Sequence, residues 1–392
     1  MTVGTAARVP ADSAVALPGS GNRPLVLVQV LRAFAATLVL VGHTNSEVAR
    51  MATESGARAS PVPHIPSGFG VDLFFAISGF IMIMSSQRLF AAPNASRIFL
   101  WRRVIRLVPL YWLVTLTYVP ILLLGSHGYH GDLPRSLLAS LSFVPYPTYG
   151  VDGSGNVYPL YSLGWTLNYE MLFYLIFSMF MWLSLRSAQL AIGATLCALV
   201  VAGLVVSPRH SELRFWTQPI ILEFGLGLAV AALWLQGFRL SGRVCAVIAA
   251  CALGYVAWDP LHLTIKPAGG STPNDLIRVL AWGLPAAALV LAASFPEKNR
   301  RFAGRLVAGL SFCGDCSYAL YLLHPLVLIV LGKVWLRLHV GQTLGFIPLA
   351  AAVVLTSYAL AAITHLVLEK PLVRNLRRHL LRQSEPLAAL PA

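Results

Sequence analysis

Charge is what this 392-residue chain has least of: 11% of its residues are Asp, Glu, Lys or Arg, and 57% are hydrophobic. A soluble domain carries roughly 25% charged residues, so this chain has too little polar surface to cover a globule in water. Cysteine is also sparse. The five present (Cys197, Cys245, Cys251, Cys313, Cys316) are an odd number set in apolar stretches, which excludes a disulfide framework. Cys313-Gly-Asp-Cys316 has no second Cys or His pair to complete a zinc set, so no metal site is expected. Residues 1–22 are small and polar, with Pro10 and Pro18. They lack the basic-then-apolar pattern of a removable signal peptide and are read as a polar tail before an uncleaved first span. Internal repeats are absent as well.

What the chain does have is long apolar runs. A hydrocarbon core of ~30 Å takes about 20 residues of helix. Ten candidates occur, near 25–46, 68–86, 107–125, 160–184, 188–206, 218–236, 241–258, 276–295, 309–332 and 346–368. Runs of this length satisfy their backbone in lipid only as helices. The expected fold is therefore all-α, a polytopic transmembrane bundle of about ten helices over residues 23–372, followed by a basic tail at 373–392. The net charge of +14 does not point to nucleic acid, because the basic residues lie between apolar runs. Nineteen Lys and Arg fall on the side shared with the N-terminus and nine on the other. That ratio predicts both termini in the cytoplasm. The segment Arg97–Arg106 and the tail alternate apolar residues with arginines, a pattern suited to anionic lipid. The loop 126–159 is rich in Tyr, Gly and Pro and lies on the opposite side.

Ionisable side chains inside a span cost at least ~2.5–3.5 kcal/mol each, so each needs a reason. The candidates are Arg32, His43, Asp72, Glu170, Glu223, Asp315, His324 and His365. Arg32 and His43 are eleven residues apart, which puts them within about 20° of one bearing and ~16 Å apart along one helix face. Such a stripe suits a polar passage between the leaflets. Helix packing accounts for Ser78 in Ile77-Ser78-Gly79-Phe80, and Glu223 and His365 are expected to be satisfied inside the bundle.

Several strings then occur in order: Leu31-Arg32-Ala33-Phe34 with His43; Phe69-Gly70-Val71-Asp72-Leu73-Phe74-Phe75-Ala76-Ile77-Ser78-Gly79-Phe80; Arg102-Arg103-Val104-Ile105-Arg106; and Pro109-Leu110-Tyr111-Trp112. They continue with Leu163-Gly164-Trp165-Thr166-Leu167-Asn168-Tyr169-Glu170, Ser317-Tyr318 with His324-Pro325, and Glu369-Lys370-Pro371. Together they resemble the acyltransferase 3 family of integral membrane acyltransferases, in style closest to bacterial exopolysaccharide O-acetyltransferases. The resemblance implies a bundle of about ten helices in the bacterial inner membrane. It also implies transfer of an acyl group, commonly acetyl, from cytosolic acyl-CoA to a saccharide hydroxyl, with association with polysaccharide-synthesis machinery as a further expectation.

Under that reading Arg102, Arg103 and Arg106 dock the phosphates of coenzyme A, because guanidinium forks bind phosphate bidentately. His43 is the general base, with an ordinary pKa near ~6.5 that suits neutral pH. Arg32 is expected to stabilise charge on the thioester oxygen, Glu170 to orient His43 or hold the acceptor, and Trp165, Tyr174 and Asp72 to shape the acceptor site. No permanently bound cofactor is expected. The alternative is a transporter or flippase of a lipid-linked saccharide, though the two related halves common in transporters are missing. His127-x4-Asp132 also fits the spacing of another acyltransferase class, but in a loop without a phosphate-binding partner.

Overall fold

The computed structural model describes residues 26–55, 65–124, 129, 131–146, 157–208, 210–264, 275–296 and 304–381. The regular structure of these residues is all helical, with no strand among them. The long elements are α1 (Val26–Glu54), α2 (Phe69–Ser86) and α3 (Ala95–Leu123), followed by the short α4 (Leu133–Leu141). Next come α5 (Trp165–Met179), α6 (Leu185–Val206), α7 (Ser211–Trp216), α8 (Leu222–Leu235) and α9 (Gly242–Trp258). A π-helical turn, Val279–Gly283, joins α10 (Leu276–Arg278) to α11 (Leu284–Ser294). The chain ends with α12 (Arg305–Asp315), α13 (Ser317–Arg337), α14 (Val340–Leu344), α15 (Ile347–Thr364) and, after a second π turn at His365–Glu369, α16 (Lys370–Leu381).

Local signals set many of the boundaries. Ser184, Ser241, Asp275 and Asp132 each accept the backbone N–H three residues on, capping α6, α9, α10 and α4. Asp132, half of the His-x4-Asp coincidence, is thus a helix cap, and His127 lies outside the described residues. Among the described residues, seven helical stretches are long and apolar enough to cross a membrane; Pro219–Leu235 and Gly242–Trp258 are apolar but shorter. At 15 residues, α5 spans only ~22 Å, because a 3-10 turn at Ser162–Gly164 precedes it. The expected span 309–332 is two helices: Cys316 breaks the run, and α13 carries it on to Arg337.

The molecule is apolar outside as well as inside. Leu190, Val205, Ile347 and Leu355 are each at least 70% exposed. So much apolar surface is stable only in lipid, and the protein is a multi-pass membrane protein. The buried core strip is α2, which packs against α1, α8 and α11. Two glycines bring α2 and α8 into backbone contact. A Cβ on Gly79 would lie 2.1 Å from the Phe224 carbonyl oxygen, and one on Gly227 would lie 2.1 Å from that of Ala76. Small residues at such crossings let helices pack without a hydrophobic drive. The tail boundary expected at 372 falls within α16, which continues through it and docks on α3.

Candidate active site

A cavity of about 480 Å³ opens among α1, α2, α3, α5, α13 and α16. Among the described residues, its walls carry five arginines, Arg32, Arg102, Arg103, Arg106 and Arg377, and a single carboxylate, Glu170. Because α3 is helical from Ala95, Arg102 and Arg106 stand one turn apart, and all three arginines of that string reach the cavity. Arg103 donates to Ser85 Oγ at 2.6 Å and lies 5.4 Å from the centre of the Phe99 ring. Its buried Nε has no acceptor. Arg32 donates to Gln29 Oε1 at 3.1 Å. Both of these guanidiniums thus bond to neutral oxygens, and neither is ion-paired to a described carboxylate. Elsewhere in the lining, Ser78 Oγ (3.2 Å) and the Tyr174 hydroxyl both donate to Glu170 Oε1. Ser317 Oγ, fully buried on α13, faces this space without a hydrogen-bond partner.

The far end of the cavity is formed by Thr166 and Tyr321, whose hydroxyls are 2.9 Å apart, and by Phe74, edge-on to Tyr321 at 6.1 Å. Tyr321 also meets the ring of His324, at 6.3 Å. His324 in turn contacts His43, Nδ1 of His43 lying 3.0 Å from Nε2 of His324. The predicted common face of Arg32 and His43 is real in this sense: at both levels α1 faces α13, through Ser317 and Tyr321 low down and His324 above. Those three residues, at i, i+4 and i+7, form one stripe of α13.

Arg32, Glu170, Tyr174, Arg102, Arg103 and Arg106 therefore converge on one cavity. His43, Trp165 and Asp72 do not line it. Trp165 packs edge-on against Phe75 and Tyr169, at 6.5 and 6.0 Å. Asp72 is fully buried in a bidentate ion pair with Arg278: Nε to Oδ1 is 2.9 Å and Nη2 to Oδ2 is 2.8 Å. This takes up both carboxylate oxygens, with buried Glu223 alongside, so a place for Asp72 in the acceptor site gives way to a helix-joining one. Two further observations bear on the expected roles. Along α1, unbroken from Val26 to Glu54, Arg32 and His43 are ~16 Å apart, and it is Arg32 that lines the cavity with the other arginines. The group that holds His43 is His324 and not Glu170.

Sequence reasoning left out Arg377, Ser317 and the pairing of His324. The alternating basic pattern of the tail was the only signal for Arg377; the other two depend on helices meeting in space.

The fold and cavity define a membrane enzyme whose strongly cationic cavity ends at Tyr321, next to a histidine pair, and the comparisons with known proteins agree with that class. Residues 27–365 match the family described as an acyltransferase domain, and the chain belongs to the acyltransferase 3 family of integral membrane acyltransferases. It is 33% identical over 306 residues to the exopolysaccharide production protein ExoZ of Rhizobium meliloti (strain 1021), covering 78% of this chain and 89% of the relative. It is 25% identical over 400 residues to the acyltransferase MdmB of Streptomyces mycarofaciens, covering 92% and 93% respectively. No solved structure matches the chain.

Proposed function

We propose that this acyltransferase moves an acyl group, acetyl by expectation, from cytosolic acyl-CoA to a hydroxyl of an exopolysaccharide or its lipid-linked precursor, with His43 as general base. One observation carries the donor assignment: five arginines surround a single carboxylate in a passage otherwise walled by apolar helices. Cationic charge in such excess over carboxylate, with the Arg103 Nε buried and without an acceptor, suits a multiply anionic ligand. Coenzyme A presents its phosphates at one end and a thin, nearly neutral arm at the other, which suits a basic mouth leading to an apolar neck. Arg102, Arg103, Arg106 and Arg377 take the phosphates, and Arg32 guides the arm towards Tyr321. The basic end then faces the cytoplasm, as the charge asymmetry of the loops favours.

At the far end the acceptor hydroxyl gives its proton to His43 Nε2 as its oxygen attacks the thioester carbonyl. The tetrahedral adduct collapses with C–S cleavage, and the imidazolium returns the proton to the departing thiolate. The name of the Rhizobium relative supports a polysaccharide acceptor. Purified protein in lipid nanodiscs, given labelled acetyl-CoA and membrane glycan, is expected to label the glycan or slowly release acetate. His43→Ala should abolish this at unchanged membrane levels. A fully active His43→Ala protein removes the base assignment, and failure to bind coenzyme A removes the donor assignment.

A further inference from the structure

His324 is completely buried, on α13 and 281 positions from His43, yet it forms the only described hydrogen bond to that residue's ring. The proton positions in this pair follow from the acceptors. His324 Nδ1 lies 3.0 Å from the Leu320 carbonyl oxygen. A carbonyl only accepts, so Nδ1 carries the hydrogen, and in a neutral imidazole Nε2 is then a bare lone pair. That lone pair faces His43 Nδ1 at 3.0 Å, so His43 Nδ1 must be the N–H partner. Neutral His43 is thereby left with its unprotonated nitrogen at Nε2, the atom that points away from the dyad. No carboxylate bonds to either ring among the described residues, so nothing there supports a standing charge on the pair.

We propose that His324 is a positioning residue for the transfer reaction: anchored to the Leu320 carbonyl, it fixes His43 in the Nδ1–H tautomer and holds the basic Nε2 towards the acceptor. This rests on His43 being the base. When His43 takes the acceptor proton at Nε2, the lone pair of His324 remains on its Nδ1–H, so the imidazolium forms without any side chain having to turn. The Tyr321 ring, touching His324 on one side and lining the donor cavity on the other, places this dyad at the cavity's inner end.

The test compares His324→Leu, which deletes the acceptor, with His324→Gln, whose amide oxygen can replace Nε2. Steady-state transfer from labelled acetyl-CoA to membrane glycan is measured with each, alongside His43→Ala. His324→Leu is expected to lower kcat by roughly a hundredfold or more, the scale of one general base, with KM for acetyl-CoA within about twofold; His324→Gln should recover at least about tenfold of that loss. Nitrogen-15 NMR of histidine-labelled protein should show His43 protonated at Nδ1 in the wild type, a readout that holds even if His324→Leu fails to accumulate. Wild-type kcat in both His324 variants, or a His43 signal protonated only at Nε2, overturns the proposal. If His43→Ala is inactive in the same experiment, the base assignment survives that failure; if it is active, both fall.

Discussion

The ion pair of Asp72 with Arg278 makes the sharpest prediction, because Asp72 sits in the chain's most recognisable string yet makes its contacts away from the cavity. Its side chain is 0% exposed and that of Arg278 3%. Removing one partner leaves a buried charge without its counterpart, a loss of roughly 3–5 kcal/mol for such pairs. At 1.4 kcal/mol per factor of ten, Arg278→Met should lower the folded-to-unfolded ratio by about two to three and a half orders of magnitude. Asp72→Asn should cost less, since Glu223 lies close enough to Arg278 to serve as a substitute counter-charge. The double variant Asp72→Leu with Arg278→Met should regain much of the loss, because an apolar pair of similar volume avoids the desolvation altogether. Thermal unfolding in detergent, followed by size exclusion, measures the order of the three. Activity per folded molecule should stay within about threefold of wild type. An Asp72→Asn protein that is fully stable but inactive would refute this reasoning and return Asp72 to the chemistry.

Three further outcomes follow from the geometry. Arg103→Gln should weaken coenzyme A binding by roughly ten- to a hundredfold, the worth of a charge-assisted hydrogen bond at about 1.5–3 kcal/mol, and Arg103→Lys should not restore it; unchanged calorimetric affinity would exclude Arg103 from the phosphate site. Gly227→Leu should prevent accumulation of folded protein, since even a Cβ there meets the Ala76 carbonyl at 2.1 Å, and a normal melting profile would show that α2 and α8 can separate. Arg377→Ala should raise KM for acetyl-CoA several-fold with little change in kcat, whereas a truncation-like loss of all activity would show that α16 matters for more than its arginine.

Much of this was legible along the chain because it is local. Arg102, Arg103 and Arg106 share one helix, so their spacing alone puts them at one place. Arg32 and His43 share another, α1, with Arg32 in the cavity wall and His43 bonded to His324. What the chain could not reveal depends on distant elements meeting. The partner of Asp72 is 206 positions away, the partner of His43 is 281, and neither pairing leaves a periodic trace. Arg377 looked like one more cation on a lipid-facing tail until α16 was seen docked on α3. The break between two helices at Cys316 was also hidden, since hydropathy is blind to a break that leaves side-chain character unaltered.

The paired glycines of α2 and α8 carry a mechanical consequence. With backbone pressed on backbone, these two segments form a single stiff board, and Ser78 and Ser85 are mounted on it. Both serines line the cavity, so this part of its wall does not yield. Any widening of the cavity must come from the far jamb, where α13 carries Tyr321 and His324 beside Pro325, whose missing N–H weakens the helix at that turn.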